Sequence, residues 1–320
     1  MMDRRDAARY YGLRDDPTLT KDQTASLQDF LDGTLDAAGG GGKAMLPPWR
    51  LAFTQLKVGP GLDLEGCGIG PRYDPGRGTF LQQLPGTNAD AVINDPARTR
   101  SGGWMHWVRL ANFRLEGNLS TGDTLGSGIR YTTGLGEGCV IERVFVKNFP
   151  DHGIWLADGA VPLKLRDLHL FQNGRYGLVL GADTPKQWST CLVETVSGDD
   201  NGVGLIHLKK IQKLYAAVCL MHIKGEGHTT KQNDLIHIED CACPVSVHVP
   251  SLSGIIPRTV VKSMVTITGP STPRLSLFSP TGNGIDYLIN DTQTGTTIPA
   301  GETAQCIALF YRDGLLQRWG

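Results

Sequence analysis

Short apolar–polar alternations dominate this chain, and most of them follow a glycine or asparagine turn. Gly128-Ile129-Arg130-Tyr131, Gly153-Ile154-Trp155-Leu156, Gly177-Leu178-Val179-Leu180 and Gly204-Leu205-Ile206-His207-Leu208 repeat one phrase about once every 25 residues. Strands this short cannot bury a face alone, so a recurring one predicts an all-β chain of stacked coils. Longer alternations lie between the phrases, and residues 139–146 align with 163–170 one period later. The regular region opens near Trp107-Val108-Arg109-Leu110. After Gly204 the coils lengthen, and residues 224–233 are expected to bulge as a loop before the strand at Asp234-Leu235-Ile236-His237-Ile238. Strands are also expected within 43–48, 56–58, 62–66 and 80–83, and later at 259–267, 275–278, 287–289 and 304–311.

One segment departs from the strand pattern. Thr24, Leu27, Leu31 and Leu35 recur at helical spacing through residues 22–38, and Ala25, Phe30 and Ala37 widen the apolar face. Gly39 to Gly42 then stop the helix. An open coil end exposes strand edges and core, so this helix is expected to cap the stack. The expected division is an arm or attachment segment at 1–20, a capped stack at 21–250, and terminal coils with a β-rich capping or oligomerisation tail at 251–320.

Composition narrows the picture. With 41 glycines and 18 prolines in 320 residues, the chain turns often. Lys plus Arg is 31 and Asp plus Glu is 32, which argues against a nucleic-acid partner held by net charge. No apolar signal core opens the sequence and no stretch is long enough to span a bilayer, so folding in a cytosol without a membrane partner is expected. The 7 cysteines leave at least one unpaired. Cys139, Cys191 and Cys219 sit in apolar strand-like runs. Cys241 and Cys243 lack a second pair at zinc-ribbon spacing, and no tight Asp cluster suggests calcium, so no metal or cofactor is expected.

The run Asp22-Gln23-Thr24-Ala25-Ser26-Leu27-Gln28-Asp29-Phe30-Leu31, the glycines at 39–42, Leu46-Pro47-Pro48 and Leu62-Asp63-Leu64-Glu65-Gly66-Cys67-Gly68 carry a resemblance. Together they resemble the pectate-lyase-like superfamily in its bacteriophage tailspike and tail-fibre branch, over roughly residues 15–250. Trp49 stands where that branch usually has glycine. The resemblance implies a right-handed, single-stranded parallel β-helix with an N-terminal capping helix and a small β-rich C-terminal segment. It also implies a homotrimer on a virion tail, made in the host cytoplasm, that meets host surface polysaccharide and other phage tail or baseplate proteins.

Candidate chemistry follows from the period. Asp151, Arg175 and Asp199 are each one period apart, so coils in constant register would stack them on one edge. The two carboxylates would then lie roughly 9–10 Å apart, two strand spacings, close to the separation in inverting glycosidases. Arg175 could grip a sugar acid. The same residues can instead form an ordinary ion ladder, as Glu142 and Arg166 do at the same offset. Gly198-Asp199-Asp200 resembles a phrase of polygalacturonase-type glycoside hydrolases, and Gly227-His228 resembles their later Gly-His. Here Asn148-Phe149-Pro150-Asp151 replaces the usual Asn-Thr-Asp, and Asn201 stands where a cysteine is usual. The candidate catalytic residues are therefore Asp151, Asp199 and Asp200. Candidate substrate-binding residues are His152, Trp155, Arg175, Tyr176, Trp188 and His228, the aromatic ones because flat rings stack on sugar faces. His207 and His237 occupy equivalent strand positions that adjacent coils would bring together.

Three functions remain open at this point. The chain could bind host polysaccharide as a tail spike or fibre, degrade it as a hydrolase or lyase, or serve only as a rigid tail or baseplate part.

Overall fold

In the computed structural model, residues 9–37, 39–70, 78–99, 103–159, 163–186, 188–212, 217–226, 234–248, 261–271, 273–280, 285–299, 306–312 and 315–319 are described. They form a parallel β-solenoid of about seven turns with one N-terminal helix. Each regular coil gives one strand to each of two sheets. The first sheet stacks Arg109–Glu116, Val140–Lys147, Leu163–Phe171, Cys191–Asp199, Val218–Glu226, Pro244–His248 and Arg274–Pro280. The second stacks Ile129–Tyr131, Ile154–Leu156, Tyr176–Lys186, Gly204–Ile211, Asp234–Glu239, Val261–Thr268 and Ile285–Asp291.

Register turns the alternating sequence into columns. Ala44, Leu64, Leu110, Ile141, Leu165, Val193, Leu220, Val247 and Leu277 stand one above another in the first sheet, all buried. Leu56, Val92, Ile129, Ile154, Leu178, Ile206, Ile236, Val265 and Ile289 do the same in the second. The two columns face a common interior, and every coil adds one apolar layer to it.

Simple alternation does not explain the long strands of the first sheet. Each contains one residue in the left-handed region: Asn112, Arg143, Asp167, Thr195 and His222. These residues occupy the same level in successive coils, between paired neighbours that keep register on both sides. The reversal lets residues three apart, such as Leu165 and Leu168, both face the core. The strand therefore wraps two sides of the interior, and each coil presents three outer faces.

The glycine phrase has a steric cause. A Cβ on Gly128 would lie 2.6 Å from the Gly153 carbonyl oxygen, and one on Gly153 would lie 2.6 Å from that of Gly177. The fourth phrase is one residue out of step, since Tyr176 pairs with Gly204 and Leu178 with Ile206. Gly204 is nonetheless crowded by its own next coil, where a Cβ would meet the Asp234 oxygen at 2.5 Å. The asparagines beside these turns also run in a ladder. The Phe149 amide donates to Asn173 Oδ1 at 3.2 Å, and the Asn173 side-chain amide donates to Asn201 Oδ1 at 2.9 Å.

The N-terminal end is closed by a helix, and the far end changes its strand pairing. Helix α1, Thr24–Ala37, buries Leu27, Phe30, Leu31 and Leu35 against the first coil. Its N-terminus is held by Asp22, whose Oδ1 accepts the Thr24 amide at 2.9 Å. Residues 9–20 pack on this cap, and residues 1–8 of the expected arm lie outside the described residues. Leu13 is fully buried, the Asp16 amide donates to the Arg50 carbonyl, and the Asp16 carboxylate accepts the amides of Thr18, Thr20 and Lys21. At the far end the pairing becomes antiparallel. Cys306–Arg312 adds to Arg274–Pro280 and carries Leu315–Trp319, while Thr296–Pro299 folds back on Ile285–Asp291. Cys139, Cys191, Cys241 and Cys243 are buried free thiols, and Cys219 is partly buried.

Leu165 sits mid-column with no exposed surface. Leu165→Ala is expected to cost about 2–5 kcal/mol, read as a lowered midpoint in denaturant unfolding.

Candidate functional site

The side chains that leave the core on the three outer faces differ in character. On the first half of the long strands lies a charge ladder. Glu142 is buried among Arg109, Arg143 and Arg166, with Arg109 Nη2 at 2.7 Å and Arg166 paired through its other oxygen. Burial alone would raise the Glu142 pKa, but Arg109 and Arg166 outweigh it and hold the carboxyl below its usual range. Glu65 is pulled down to about 2, first by its hydrogen bond with Lys43 and then, against burial, by Arg109. The Glu142–Arg166 pair expected from the sequence is thus present.

On the second half, beyond the left-handed residues, lies a groove of about 470 Å³. Phe145, His169, Ser197 and Lys224 form one column across four consecutive coils, and Phe171 stands in the next. The Phe145 and Phe171 rings are 5.3 Å apart and within 10° of parallel. The Arg114 guanidinium lies over Phe145 at 4.7 Å. Ser197 Oγ is 2.7 Å from His169 Nδ1. The groove is therefore bordered by two largely buried stacked rings, a hydroxyl–imidazole pair, His222 and Lys224. None of these residues is among the candidates expected from the sequence, although the charge of Lys224 and the alternation at Phe145 and His169 are plain in it.

On the second sheet's outer face the rings are packed together. His207 and His237 pair in adjacent coils, stacked at 4.6 Å with 3° between planes, as their equivalent strand positions suggested. Tyr176 lies on His207 at 4.6 Å, and His152 stacks on Tyr176 at 5.9 Å. The Tyr176 hydroxyl meets His237 Nδ1 at 2.8 Å, and His237 Nε2 meets Thr268 Oγ1 at 2.8 Å. Burial, then Arg175, push the His152 pKa down to about 4 against the pull of Asp151. Burial, His237 and Lys209 push His207 down to about 2. Glu239 lies 3.0 Å from His207 Nε2, a distance that would favour the charged ring, but without hydrogen-bond alignment. Burial and the stacked His237 ring decide for the neutral form.

The structure separates the expected catalytic column. The Arg175 amide donates to the Asp151 carbonyl, and the Val203 amide donates to the Arg175 carbonyl. The edge therefore reads Asp151, Arg175, Val203. Asp199 pairs instead with Phe171, in a strand of the first sheet, because the coil after Arg175 is longer than one period. The Asp151 carboxylate accepts the Gly126 amide at 3.1 Å, a bond that ties two coils. Asp200 follows Asp199 in the left-handed region and accepts from Gln172 Nε2 at 3.5 Å.

Several binding candidates are also displaced. Trp188 is 1% exposed, and a Cβ on Gly159 would touch its ring at 2.7 Å. It fills the core and offers no face to a sugar. His152 and Tyr176 are buried in the ring stack just described. Trp155 is half-buried, its Nε1 donating to the Gly181 carbonyl and its face covered by Arg130 at 4.2 Å. Arg175 is exposed on the turn edge. His228 lies outside the described residues.

No protein-family model matches the chain, and no curated protein matches it in sequence. Solved structures of similar shape include the mannuronan C-5 epimerase A-module of Azotobacter vinelandii, at 16% identity, covering 90% of this chain and 92% of that one, with TM-score 0.46. Tailspike protein 2 of the Escherichia coli O157:H7 bacteriophage CAB120 matches at 11% identity over 85% of this chain and 39% of its own length, with TM-score 0.49. The Acinetobacter baumannii bacteriophage Fri1 tailspike gp49, a capsular polysaccharide depolymerase, matches at 15% identity over 89% of this chain and 56% of its own, with TM-score 0.46.

The ring stack has a consequence for stability. His152 and His207 stay neutral when folded, down to about pH 4 and about pH 2. Unfolded imidazoles take protons below about pH 6.5, so acid favours the unfolded chain. Stability is complete above that pH and falls as the pH drops toward the folded values. Between pH 7 and pH 5 each of these histidines is expected to contribute a loss of about 2 kcal/mol. His207→Gln should flatten the dependence of Tm on pH in that window.

Proposed function

We propose that the chain binds an extended polysaccharide along the groove of the first sheet, as the host-facing part of a bacteriophage tail. The groove itself carries this reading. The largely buried Phe145 and Phe171 rings beside His169, Ser197 and Lys224 combine an apolar border with hydrogen-bonding and cationic groups. Sugars have the same two-sided character, apolar on the ring face and polar at the rim. The groove side chains repeat once per coil at a strand spacing of roughly 4.8 Å, comparable with the length of one pyranose unit. A ligand made of repeating units would meet repeating contacts.

The tail assignment draws support from the cap, whose helix, glycine stop and Leu46-Pro47-Pro48 turn carry the tailspike resemblance. On this reading the protein is a homotrimer on the virion and touches other tail proteins as well as the host glycan. Leu125, Val203 and Trp107 are large apolar groups exposed on a single chain, and a chain–chain contact would cover such groups. The Asp151, Asp199 and Asp200 carboxylates are not carried forward as a hydrolytic set, since no register position joins Asp151 to Asp199.

Retention on immobilised host capsule or cell-wall glycan tests the reading. Phe171→Leu keeps an apolar side chain but loses the flat face, and is expected to weaken binding roughly fivefold, about 1 kcal/mol. Unchanged affinity in the folded variant would move the binding site elsewhere. Light scattering should give three chain masses, and a single chain mass would sink the spike assembly.

A further inference from the structure

The groove holds more than binding groups. Three consecutive coils place His169, Ser197 and Lys224 at one register position on the outer face. Ser197 Oγ and His169 Nδ1 are 2.7 Å apart, and all three residues line the same 470 Å³ space. A cross-strand Ser–His hydrogen bond can be merely structural. This one faces a groove instead of a packed interface, with both side chains partly exposed and a lysine next in the column.

We propose that Ser197, His169 and Lys224 form a site that hydrolyses acyl esters carried on sugar hydroxyls. The proposal rests on the polysaccharide reading for its substrate class, and it assigns the groove a reaction. With the proton on Nε2, His169 Nδ1 accepts the Ser197 hydroxyl hydrogen bond and serves as general base. Ser197 Oγ attacks the ester carbonyl carbon as its proton passes to His169. The bond from that carbon to the sugar oxygen breaks, and His169 returns the proton to the departing alkoxide. Water then gives a proton to His169 and attacks the acyl-serine carbonyl carbon. The bond from that carbon to Ser197 Oγ breaks, His169 returns its proton to Oγ, and a carboxylic acid leaves. The Lys224 ammonium, one coil beyond Ser197, compensates the charge that develops on the carbonyl oxygen. Phe145 and Phe171 border the groove with apolar atoms, suited to a short acyl chain rather than to a charged one.

The order along the column fits this division of roles. Base, nucleophile and cation follow one another at strand spacing. Asp199 lies in the adjacent column, in register with Phe171.

The full chain is to be incubated with p-nitrophenyl acetate and, separately, with O-acetylated host glycan. The expected result is a burst of p-nitrophenol close to one per chain and release of free acetate. Ser197→Ala should abolish the burst, and His169→Ala should slow turnover about 100-fold. A fluorophosphonate probe on the wild-type protein should label Ser197, as read by peptide mass spectrometry. That readout stands even where a variant fails to fold. Labelling absent from Ser197, or a folded Ser197→Ala that keeps the wild-type rate, overturns the proposal. Glycan retention without any burst or acetate release also overturns it while leaving the binding reading intact. Burst and labelling without glycan retention would support the acyl chemistry and remove the polysaccharide.

Discussion

Backbone hydrogen bonding between parallel coils sets the terms for everything else in this protein. Each strand amide bonds to the next coil, so a position, once fixed, is repeated at the same place one strand spacing away. A residue's neighbours are therefore its equivalents above and below, more than its neighbours in sequence. Leu165 is buried because Ile141 and Val193 are its column mates. Glu142 tolerates burial because Arg109 and Arg166 flank it. The glycines recur where the next coil's carbonyl leaves no room for a Cβ.

The second constraint is the left-handed residue in each long strand. A non-glycine residue in that region is strained by about 1–3 kcal/mol, and five successive coils accept it. The reversal is repaid in burial, because it turns both halves of each strand's apolar set toward the core. It also decides where function can lie. Without it, strict alternation would turn Phe145, His169 and Ser197 inward, opposite to Glu142 and the arginines. With it the charged ladder and the groove fall on separate faces of the same strand.

The repeat, the cap and most strands could be read in the sequence, because each depends on local alternation or helical spacing. The pairing of His207 with His237 could be read too, since their interval matches one lengthened coil. The catalytic column could not. Counting a constant period put Asp199 above Arg175, but the strand after Arg175 carries a register shift between Gly181 and Lys186 that adds residues to the coil, and Val203 takes that place. Such an insertion is invisible to a fixed interval, so an error of a few residues moves a side chain to another face. The left-handed level was hidden for a different reason. Asn112, Arg143, Asp167, Thr195 and His222 share no side-chain chemistry, and only their register reveals them. Trp188 misled because a tryptophan in a turn-rich segment suits a surface as well as a core.

Histidine shows how far column position outranks residue type. His207 and His169 both stand on outward levels of their strands. His207 is enclosed by Tyr176 and His237 and is held neutral by burial. Its ring belongs to the packing, and protonating it would cost stability without a substrate within reach. His169 stands where its neighbouring coils offer Phe145 on one side and Ser197 on the other, with a groove in front. Both columns stack their rings, but only the second leaves an imidazole and a hydroxyl, His169 and Ser197, partly exposed on a groove. In a fold whose core is the same at every level, that difference in lateral cover separates a structural face from one able to bind.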